Sequence, residues 1–413
     1  MQKGYGRLKA ACYTSNVAMS VVGNLSPLLF LTFRSLYDIS YSLLGLLVLI
    51  NFCTQLGIDL VFSFFSHKFN IPATVKIMPL LTVAGLLVYG VWPWLFPDSV
   101  YAGLVIGTVL FSASGGLGEV LISPVIAAIP AKDPDREMSR LHSIYAWGVV
   151  GVILVSTLFL LVCGGENWQW LALLFVLVPL VAFGLYAGAD IPAMKTEERV
   201  SGVLRQLRQP GLWLCVGCIF FGGAAECTMA QWASGYLEQA LHIPKVWGDV
   251  FGVALFSVML GLGRSLYAKH GRYIGRVLTL SAAGAVACYL TAALCGQPVV
   301  GLVACGLTGL CVAMMWPGSL VVATERFPAG GVFIFALMAA GGDFGASVGP
   351  QLVGIITDAV IASPVAVQLA TGWGLLPEQL GMKLGMLMGM LFPLCALPLF
   401  AIVWKGKKPA AGD

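Results

Sequence analysis

Long apolar stretches, separated by short charged or Pro/Gly-containing segments, recur along the whole chain. A helix that crosses a bilayer needs about 20 apolar residues, and twelve such stretches can be counted. In the first half they run over about Leu8 to Phe33, Ser40 to Ser66, Lys76 to Phe96, Val100 to Ile129, Leu141 to Cys163 and Trp168 to Ala189. In the second half they run over about Leu212 to Ala240, Val246 to Tyr267, Gly275 to Cys295, Val299 to Thr324, Gly331 to Val360 and Gly381 to Trp404. The pattern therefore predicts an all-α integral membrane protein with twelve transmembrane helices.

The composition agrees with this pattern. Of the 413 residues, 59% are apolar and 10% are charged, whereas soluble domains carry about 25% charged residues. Twelve membrane helices leave enough chain for short loops but not for a separate soluble domain. The formal charge of +4 is too small to indicate nucleic-acid binding.

The basic residues give the orientation of the predicted helices. With the amino terminus inside, only Arg34, Lys245 and Lys383 of the 23 Lys and Arg residues fall outside. Cytoplasmic loops of membrane proteins carry such an excess of Lys and Arg. The first span is too long for a signal-peptide core and lacks a clear cleavage site, so we expect it to be retained. The sequence therefore predicts a multi-pass protein of the cell membrane with both termini in the cytoplasm.

A charged stretch between the sixth and seventh spans divides the chain into two halves. The predicted domains are an N-terminal six-helix bundle at 1–189, a cytoplasmic linker at 190–210 and a C-terminal six-helix bundle at 211–413. Basic links follow both the second and the eighth span, formed by His67, Lys68 and Lys76 and by Lys269, His270, Arg272 and Arg276. Two parallel halves with a substrate site between them near the bilayer midplane are one known solution to alternating access.

Three segments give a more specific resemblance. They are the Gly-rich stretch around Glu119 (115–124), the stretch Ser139-Arg-Leu-His142-Ser-Ile-Tyr145-Ala-Trp147-Gly148, and the run from Gly223 and Glu226 through Trp232 and Tyr236. The architecture resembles the major facilitator superfamily, and these segments resemble its fucose/galactose/gluconate proton-symporter branch. The resemblance implies two pseudo-symmetric six-helix bundles and transport of a small solute together with protons.

Acidic residues within the spans are the candidates for proton coupling. A charged side chain near the bilayer centre costs about 2.5–3.5 kcal/mol on insertion scales, so such residues are functional candidates. Glu119, Glu226 and Asp343 lie in the fourth, seventh and eleventh spans, and Asp343 is flanked by glycines. His142 joins them because imidazole titrates in the range that a proton symporter uses. For each of these residues, permanent packing against a neighbouring helix is the alternative.

Polar and aromatic residues near these acids are the candidates for substrate binding. A cavity lined by an acid and by aromatic rings suits a sugar, whose hydroxyls need acceptors and whose C–H faces stack on rings. The predicted substrate-binding residues are Asn24, Glu119, His142, Tyr145, Glu226, Trp232 and Tyr236. Ordinary helix packing is the alternative for Asn24 and for the aromatic residues.

Charged residues towards the cytoplasmic ends of the spans are the candidates for gating. Asp59 follows Asn51 and Gln55 at four-residue spacing, which places three polar groups on one helix face. Its cytoplasmic position predicts a gate with basic partners. Arg264 closes the eighth span and Glu325 and Arg326 close the tenth. Ion pairs there would favour one transporter state over another, and interfacial anchoring is the alternative.

The function that these features predict is proton-coupled uptake of a sugar or a similar small polar solute. An exporter of drugs or metabolites within the same superfamily is the first alternative. The chain has no phosphate-binding loop, its four histidines are dispersed, and no signalling domain is appended, so neither an enzyme nor a receptor is predicted. Cys215 and Cys218 form a C-x-x-C within a span and are interpreted as packing residues, so we predict no metal site and no cofactor. The expected partners are the solute, protons and membrane lipid, with the monomer as the functional unit.

Overall fold

The fold is a set of long helices. The computed structural model describes residues 5–65, 68–130, 134–192, 208–270, 273–327 and 331–405. In the N-terminal half the helices are α1 Gly6–Leu28, α2 Phe30–Tyr37, α3 Tyr41–Phe65, α4 Ile71–Leu95, α5 Val100–Ala128, α6 Pro134–Cys163, α7 Trp168–Phe175 and α8 Leu177–Ala187. In the C-terminal half they are α9 Pro210–Leu241, α10 Leu255–His270, α11 Ile274–Leu294, α12 Pro298–Val312, α13 Met315–Arg326, α14 Gly331–Ala362, α15 Pro364–Gly372 and α16 Pro377–Lys405.

The helices are long and apolar enough to confirm the all-α membrane fold class. Within the described residues, 11 helical segments meet the length and hydropathy of a membrane span, and counting α1 with α2 as one bent span gives 12. The bend between α1 and α2 is 46° and follows Pro27, the one proline inside α1. Proline removes a backbone donor and crowds the turn before it, so the last turns of α1 are weakened close to the bend.

Proline also marks where several helices begin. Pro210, Pro298 and Pro364 occupy the first turn of α9, α12 and α15. The first helical position tolerates proline because its missing N–H would have no partner within the helix. At α15 the Ser363 hydroxyl also accepts a hydrogen bond from the Ala366 amide at 3.4 Å. α15 lies between the last two predicted spans, and its nine residues are too few to cross a membrane.

The contacts divide the chain into two compact units. Unit 1 comprises 1–39 and 50–199, and unit 2 comprises 40–49 and 200–413. The change at residues 199 and 200 falls within the predicted linker, most of which lies outside the described residues. The assignment of 40–49 to unit 2 was not predicted, and it cuts α3 near its start.

In unit 1, hydroxyl and amide side chains join the helices within the apolar core. Ser112 on α5 donates to Oδ1 of Asn51 on α3 at 2.6 Å. Thr82 on α4 donates to Ser114 Oγ at 2.8 Å, and Ser114 donates to the carbonyl of Met78 at 2.7 Å. Buried polar groups that find such partners avoid an uncompensated desolvation cost. These bonds fix α5 against α3 and α4.

In unit 2, α9 and α14 pack backbone against backbone through glycines. A Cβ added at Gly345 would overlap the carbonyl oxygen of Phe220, and one added at Gly223 would overlap that of Gly342. Small residues permit this close approach, which is the usual way in which membrane helices associate without a hydrophobic driving force. The seam therefore depends on the absence of side chains at these positions.

We expect Gly345→Ala to destabilise the protein by about 1–3 kcal/mol, the usual cost of overpacking a tight interface. Gly261→Ala is the matched control, because Gly261 is a helical glycine of the same unit with no atom within 4 Å of an added Cβ. Thermal unfolding of both variants in the same detergent measures the difference. Equal melting temperatures would show that the seam can relax around a methyl group.

A charged cluster joins α1 to the first turns of α6, which precede the membrane span that begins at Ser143. The Glu137 carboxylate accepts from the Tyr13 hydroxyl at 2.9 Å and pairs with Lys9 Nζ at 3.0 Å, while Arg140 lies at 3.7 Å. The hydrogen bond from Lys9, followed by that from Tyr13, lowers the pKa of Glu137 below its usual value. Because a depressed pKa favours the folded state when the group is ionised, the cluster stabilises the fold above the ordinary pKa of Glu, about 4.3.

This stabilisation is expected to disappear as the pH falls through the lowered pKa of Glu137. Glu137→Gln should lower the melting temperature at neutral pH, and its difference from the wild type should shrink below about pH 4. Melting curves of both proteins between neutral and acid pH test this. A difference that stays constant or grows on acidification would rule out the proposed linkage.

Candidate functional site

Glu119 and Asp59 form a pair of carboxylates in unit 1. Glu119 is exposed on α5, and Asp59 on α3 is 6% exposed. One carboxylate oxygen of each residue lies within 4.8 Å of the other. At an effective dielectric constant of about 20, two unit charges at this distance repel by about 3 kcal/mol. A proton or a cation held by the pair would remove this repulsion.

Glycines of α5 bring the two acids together. A Cβ added at Gly116 would lie 3.0 Å from the Gln55 carbonyl oxygen, so α3 and α5 are in close contact. Asn51 bonds to α5 through Ser112, Gln55 lies against Gly115 and Gly116, and Asp59 lies beside Glu119. The polar face of α3 therefore lies along α5. Within unit 1 an acid, Glu119, lies next to Asp59.

The predicted substrate residues of α1 and α6 lie in one region of unit 1. The Tyr145 side chain is 38% exposed, and its hydroxyl lies 3.6 Å from the position of a Cβ on Gly23. Asn24 is half-buried, and its amide nitrogen donates to the Ser20 carbonyl of its own helix at 2.9 Å. Ser20 in turn donates to the Tyr145 carbonyl at 2.9 Å. The His142 side chain lies outside the described residues.

Glu226 and Arg264 form an ion pair in unit 2. Arg264 Nη2 lies 3.1 Å from Oε1 and 3.2 Å from Oε2 of Glu226, and Arg264 Nε donates to the Ala313 carbonyl at 3.2 Å. The Glu226 side chain is 16% exposed and that of Arg264 is 43% exposed. The sequence predicted separate roles for these residues, in coupling and in gating. The long Arg side chain joins them, because its aliphatic part lets the guanidinium reach away from its own helix position.

The predicted aromatic substrate contacts in α9 are enclosed within unit 2. Trp232 and Tyr236 are both 0% exposed. Trp232 Nε1 donates to the Pro350 carbonyl at 2.8 Å, and the Tyr236 hydroxyl donates to the Ala292 carbonyl. Both polar groups are thus used by neighbouring backbone. In this structure neither ring is exposed.

The remaining predicted residues of unit 2 lie at different depths. Asp343 on α14 is 4% exposed and lies in the Gly-rich stretch that packs on α9. Glu325 is exposed and Arg326 is half-buried, both at the end of α13. Cys215 and Cys218 are buried free thiols. Within the described part of unit 2, no group of three ligand side chains that belong to this unit gathers in a metal site.

Two further acids of unit 2, which were not among the predicted site residues, are Asp249 and Asp358. Asp249 is 0% exposed, accepts from the Ser234 hydroxyl and lies 3.4 Å from Lys245 Nζ. Asp358 accepts from two backbone amides at the start of α3. Both residues lie within predicted spans, so the rule that singled out Glu119 would also have found them.

Three solved structures that are similar to this chain are transporters. A bacterial homologue of the human lysosomal transporter Spinster has a TM-score of 0.70 and 15% identity over 99% of each chain. The nucleoside transporter NupG has a TM-score of 0.75 and 10% identity, covering 95% of this chain and 99% of its own. The E. coli fucose:proton symporter FucP has a TM-score of 0.60 and 14% identity, covering 97% and 99%. At these identities the likeness establishes the fold alone.

Sequence comparison establishes the family. No curated protein sequence matches the chain significantly. The model of the major facilitator superfamily matches residues 12–350, which is most of the chain. The chain therefore belongs to the major facilitator superfamily of membrane transporters.

Proposed function

We propose that this transporter carries a sugar or a similar small polar solute into the cell together with protons. The observation that carries the proposal is the pair of Glu119 and Asp59, whose carboxylates lie within 4.8 Å of each other. Such a pair is unfavourable when both groups are ionised, so one proton stabilises it. Glu119 is exposed and Asp59 is buried. Glu119 is therefore the residue that exchanges a proton, and the neighbouring carboxylate of Asp59 favours the protonated form of Glu119.

We further propose that the solute binds beside the pair of Glu119 and Asp59. The exposed ring of Tyr145 offers a stacking surface, and the amide of Asn24 and the imidazole of His142 offer hydrogen-bonding groups to hydroxyls. FucP is a fucose:proton symporter and NupG a nucleoside transporter, so polar cargo is compatible with this fold. The fucose permease-like branch remains part of the proposal, since the three short segments around Glu119, His142 and Glu226 carry it.

The pair of Glu226 and Arg264 has a separate role in the proposal. Its charges neutralise each other, so α9 and α10 are held together without a net charge in the membrane. Binding of solute or protonation of Glu226 would release Arg264 and favour another state. Asp343, Glu325 and Arg326 complete the proposed coupling and gating residues of unit 2.

The wider assignments of the proposal follow from the charge pattern. We place the protein in the cell membrane with both termini in the cytoplasm, because the basic residues lie on one side of the predicted spans. The domain boundaries are proposed at 1–189, 190–210 and 211–413. The monomer is the proposed functional unit because each chain contains two halves for alternating access.

Uptake into proteoliposomes tests the proposal. A panel of radiolabelled sugars and polyols is supplied with and without an inward pH gradient, and liposomes without protein are the blank. We expect at least one compound to accumulate above its external concentration only when the gradient is present. If the solute only equilibrates across the membrane, with or without the pH gradient, the proposed proton coupling is wrong. No uptake of any compound, with outward movement of hydrophobic drugs instead, would favour the exporter.

A further inference from the structure

A short uncharged helix, α15, lies between two membrane spans of unit 2. The spans on either side of it are Leu337–Ala362 and Pro377–Ile402. No Asp, Glu, Lys or Arg occurs from residue 363 to residue 377. The nine residues of α15 extend over only about 14 Å, which is far less than the thickness of a bilayer. The helix therefore lies at the level where one span ends and the next begins.

Local hydrogen bonds define both ends of α15. At its start the Ser363 hydroxyl accepts from the Ala366 amide. At its end the Leu375 amide donates to the Ala370 carbonyl at 2.8 Å, across Gly374 with its φ of 70°. Glycine adopts this left-handed conformation without strain, and the bond is typical of a Schellman motif. Because a helix this short is marginal by itself, these caps help to fix the direction of its side chains.

One face of α15 packs against protein. Ala366 and Ala370 on this face contact the buried cluster formed by Val360 of α14 and Leu380 of α16, and Ala370 is 0% exposed. The small alanine side chains let α15 lie close to both neighbouring helices. The rotation of α15 about its own axis is therefore set by these contacts.

The exposed residues of α15 divide into an apolar stripe and a polar face. The apolar stripe consists of Val365, Leu369 and the adjoining Trp373, which are 67%, 49% and 66% exposed. Residues four apart lie on the same side of a helix, so these three cover an arc of about 80°. Gln368 and Thr371 are also exposed, and the same helical geometry places them on a different side. The helix is thus amphipathic on its exposed surface as well as packed on its inner face.

We propose that α15 is an interfacial helix that inserts its apolar stripe into the bilayer at the boundary of headgroups and acyl chains. Its position between two span ends puts it at this boundary, and Trp373 is the residue type that favours it. Gln368 and Thr371 then face water. Since the segment has no Lys or Arg, apolar burial holds it in place and the charge of the lipid does not. This placement goes beyond the proposed transport and requires neither the solute nor the proton.

The accessibility of a nitroxide spin label tests the proposal on the protein in phosphatidylcholine nanodiscs. One label is attached at Leu369→Cys in the apolar stripe, and the matched control is Gln368→Cys, the next position along the chain but on the polar face. The exposed Cys163 and Cys395 are replaced by serine, and that protein without an added cysteine gives the background from the remaining thiols. Molecular oxygen concentrates in lipid, whereas a nickel chelate stays in water. We expect the ratio of collisions with oxygen to collisions with the chelate to be about threefold or more higher at Leu369→Cys.

The other outcomes would overturn the proposal. Equal ratios for the two labels would place the apolar stripe in water. A label at Leu369→Cys that is shielded from both reagents would show that protein, such as a second copy of the chain, covers the stripe.

Lipid charge gives a further test. Replacing part of the phosphatidylcholine by anionic phosphatidylglycerol should change the ratio at Leu369→Cys by less than about twofold. A preference for oxygen that appears only with the anionic lipid would contradict placement by apolar burial. If Leu369→Cys does not fold, Val365→Cys takes its place with the same expected result. Since no solute or pH gradient is used, failure here leaves the proposed uptake function untouched, and failure of uptake leaves this placement untouched.

Discussion

Glu119→Gln should abolish gradient-driven accumulation of solute while leaving exchange across the membrane intact. Glutamine keeps the shape and hydrogen-bonding capacity of the side chain but cannot carry a proton. Net uptake carries a proton across the membrane with each solute. Exchange of labelled for unlabelled solute involves no net movement of protons, because the solute-loaded protein travels in both directions. We therefore expect accumulation to fall at least tenfold, which corresponds to a loss of at least about 1.4 kcal/mol of coupling free energy. Counterflow should stay within about twofold of the wild type.

The measurement compares accumulation and counterflow in proteoliposomes with equal protein content. Glu166→Gln is the matched control, because Glu166 is an exposed acid of the same unit that lies in a turn outside the long helices. Asp59→Asn should weaken accumulation less than Glu119→Gln, since Asp59 tunes the pair in this account. Full accumulation by Glu119→Gln would remove Glu119 from the coupling step.

Arg264→Met should destabilise the protein by leaving the carboxylate of Glu226 without its partner. Breaking a buried pair costs about 3–5 kcal/mol. The Arg264 side chain is 43% exposed, so solvent screening reduces the expected loss to about 1–3 kcal/mol. Glu226→Gln combined with Arg264→Met should recover most of this loss, because neither remaining side chain is charged.

A double-mutant cycle on melting temperatures measures this coupling. Lys269→Met is the control for losing a positive charge from the same helix, since Lys269 is exposed near the end of α10. Its melting temperature should stay close to that of the wild type. If the two substitutions simply add, the pair contributes nothing to stability and the two residues act independently.

The membrane fold was predictable because hydropathy and the distribution of Lys and Arg are written directly in the sequence. A bilayer fixes the length of a span, so long apolar stretches have few alternative structures. The breaks within spans were harder to place. Pro27 lies close to the bend between α1 and α2, and Ser363 with Pro364 marks the start of α15. These local signals are present in the sequence, but the long apolar stretches dominated the prediction of the spans.

The partners of the charged residues were not predictable in the same way. The energy cost of an acid in a membrane singles out Glu119, Glu226 and Asp59, but it does not say which side chain lies beside each. Contacts between α3 and α5 and between α9 and α10 depend on helix rotation and on side-chain reach. Hence the pairing of Asp59 with Glu119 and of Glu226 with Arg264 required the three-dimensional structure.

The surroundings of the aromatic residues were also not predictable from the sequence. Trp232 and Tyr236 lie close to Glu226 in sequence, which suggested a binding surface. In the structure both rings are enclosed and both polar groups bond to backbone carbonyls. Burial of a particular helix face is decided by neighbouring helices, and α9 has no distinct apolar face that would indicate it in advance.

The external pH of a weakly buffered proteoliposome suspension tests the central claim most directly. When a transported sugar is added, the medium should become alkaline with wild-type protein, because protons enter together with the solute. Proteoliposomes containing Glu119→Gln should show no pH change despite normal counterflow. Sugar uptake by the wild type without any alkalinisation, or alkalinisation that persists in Glu119→Gln, would contradict coupling through the carboxylates of Glu119 and Asp59.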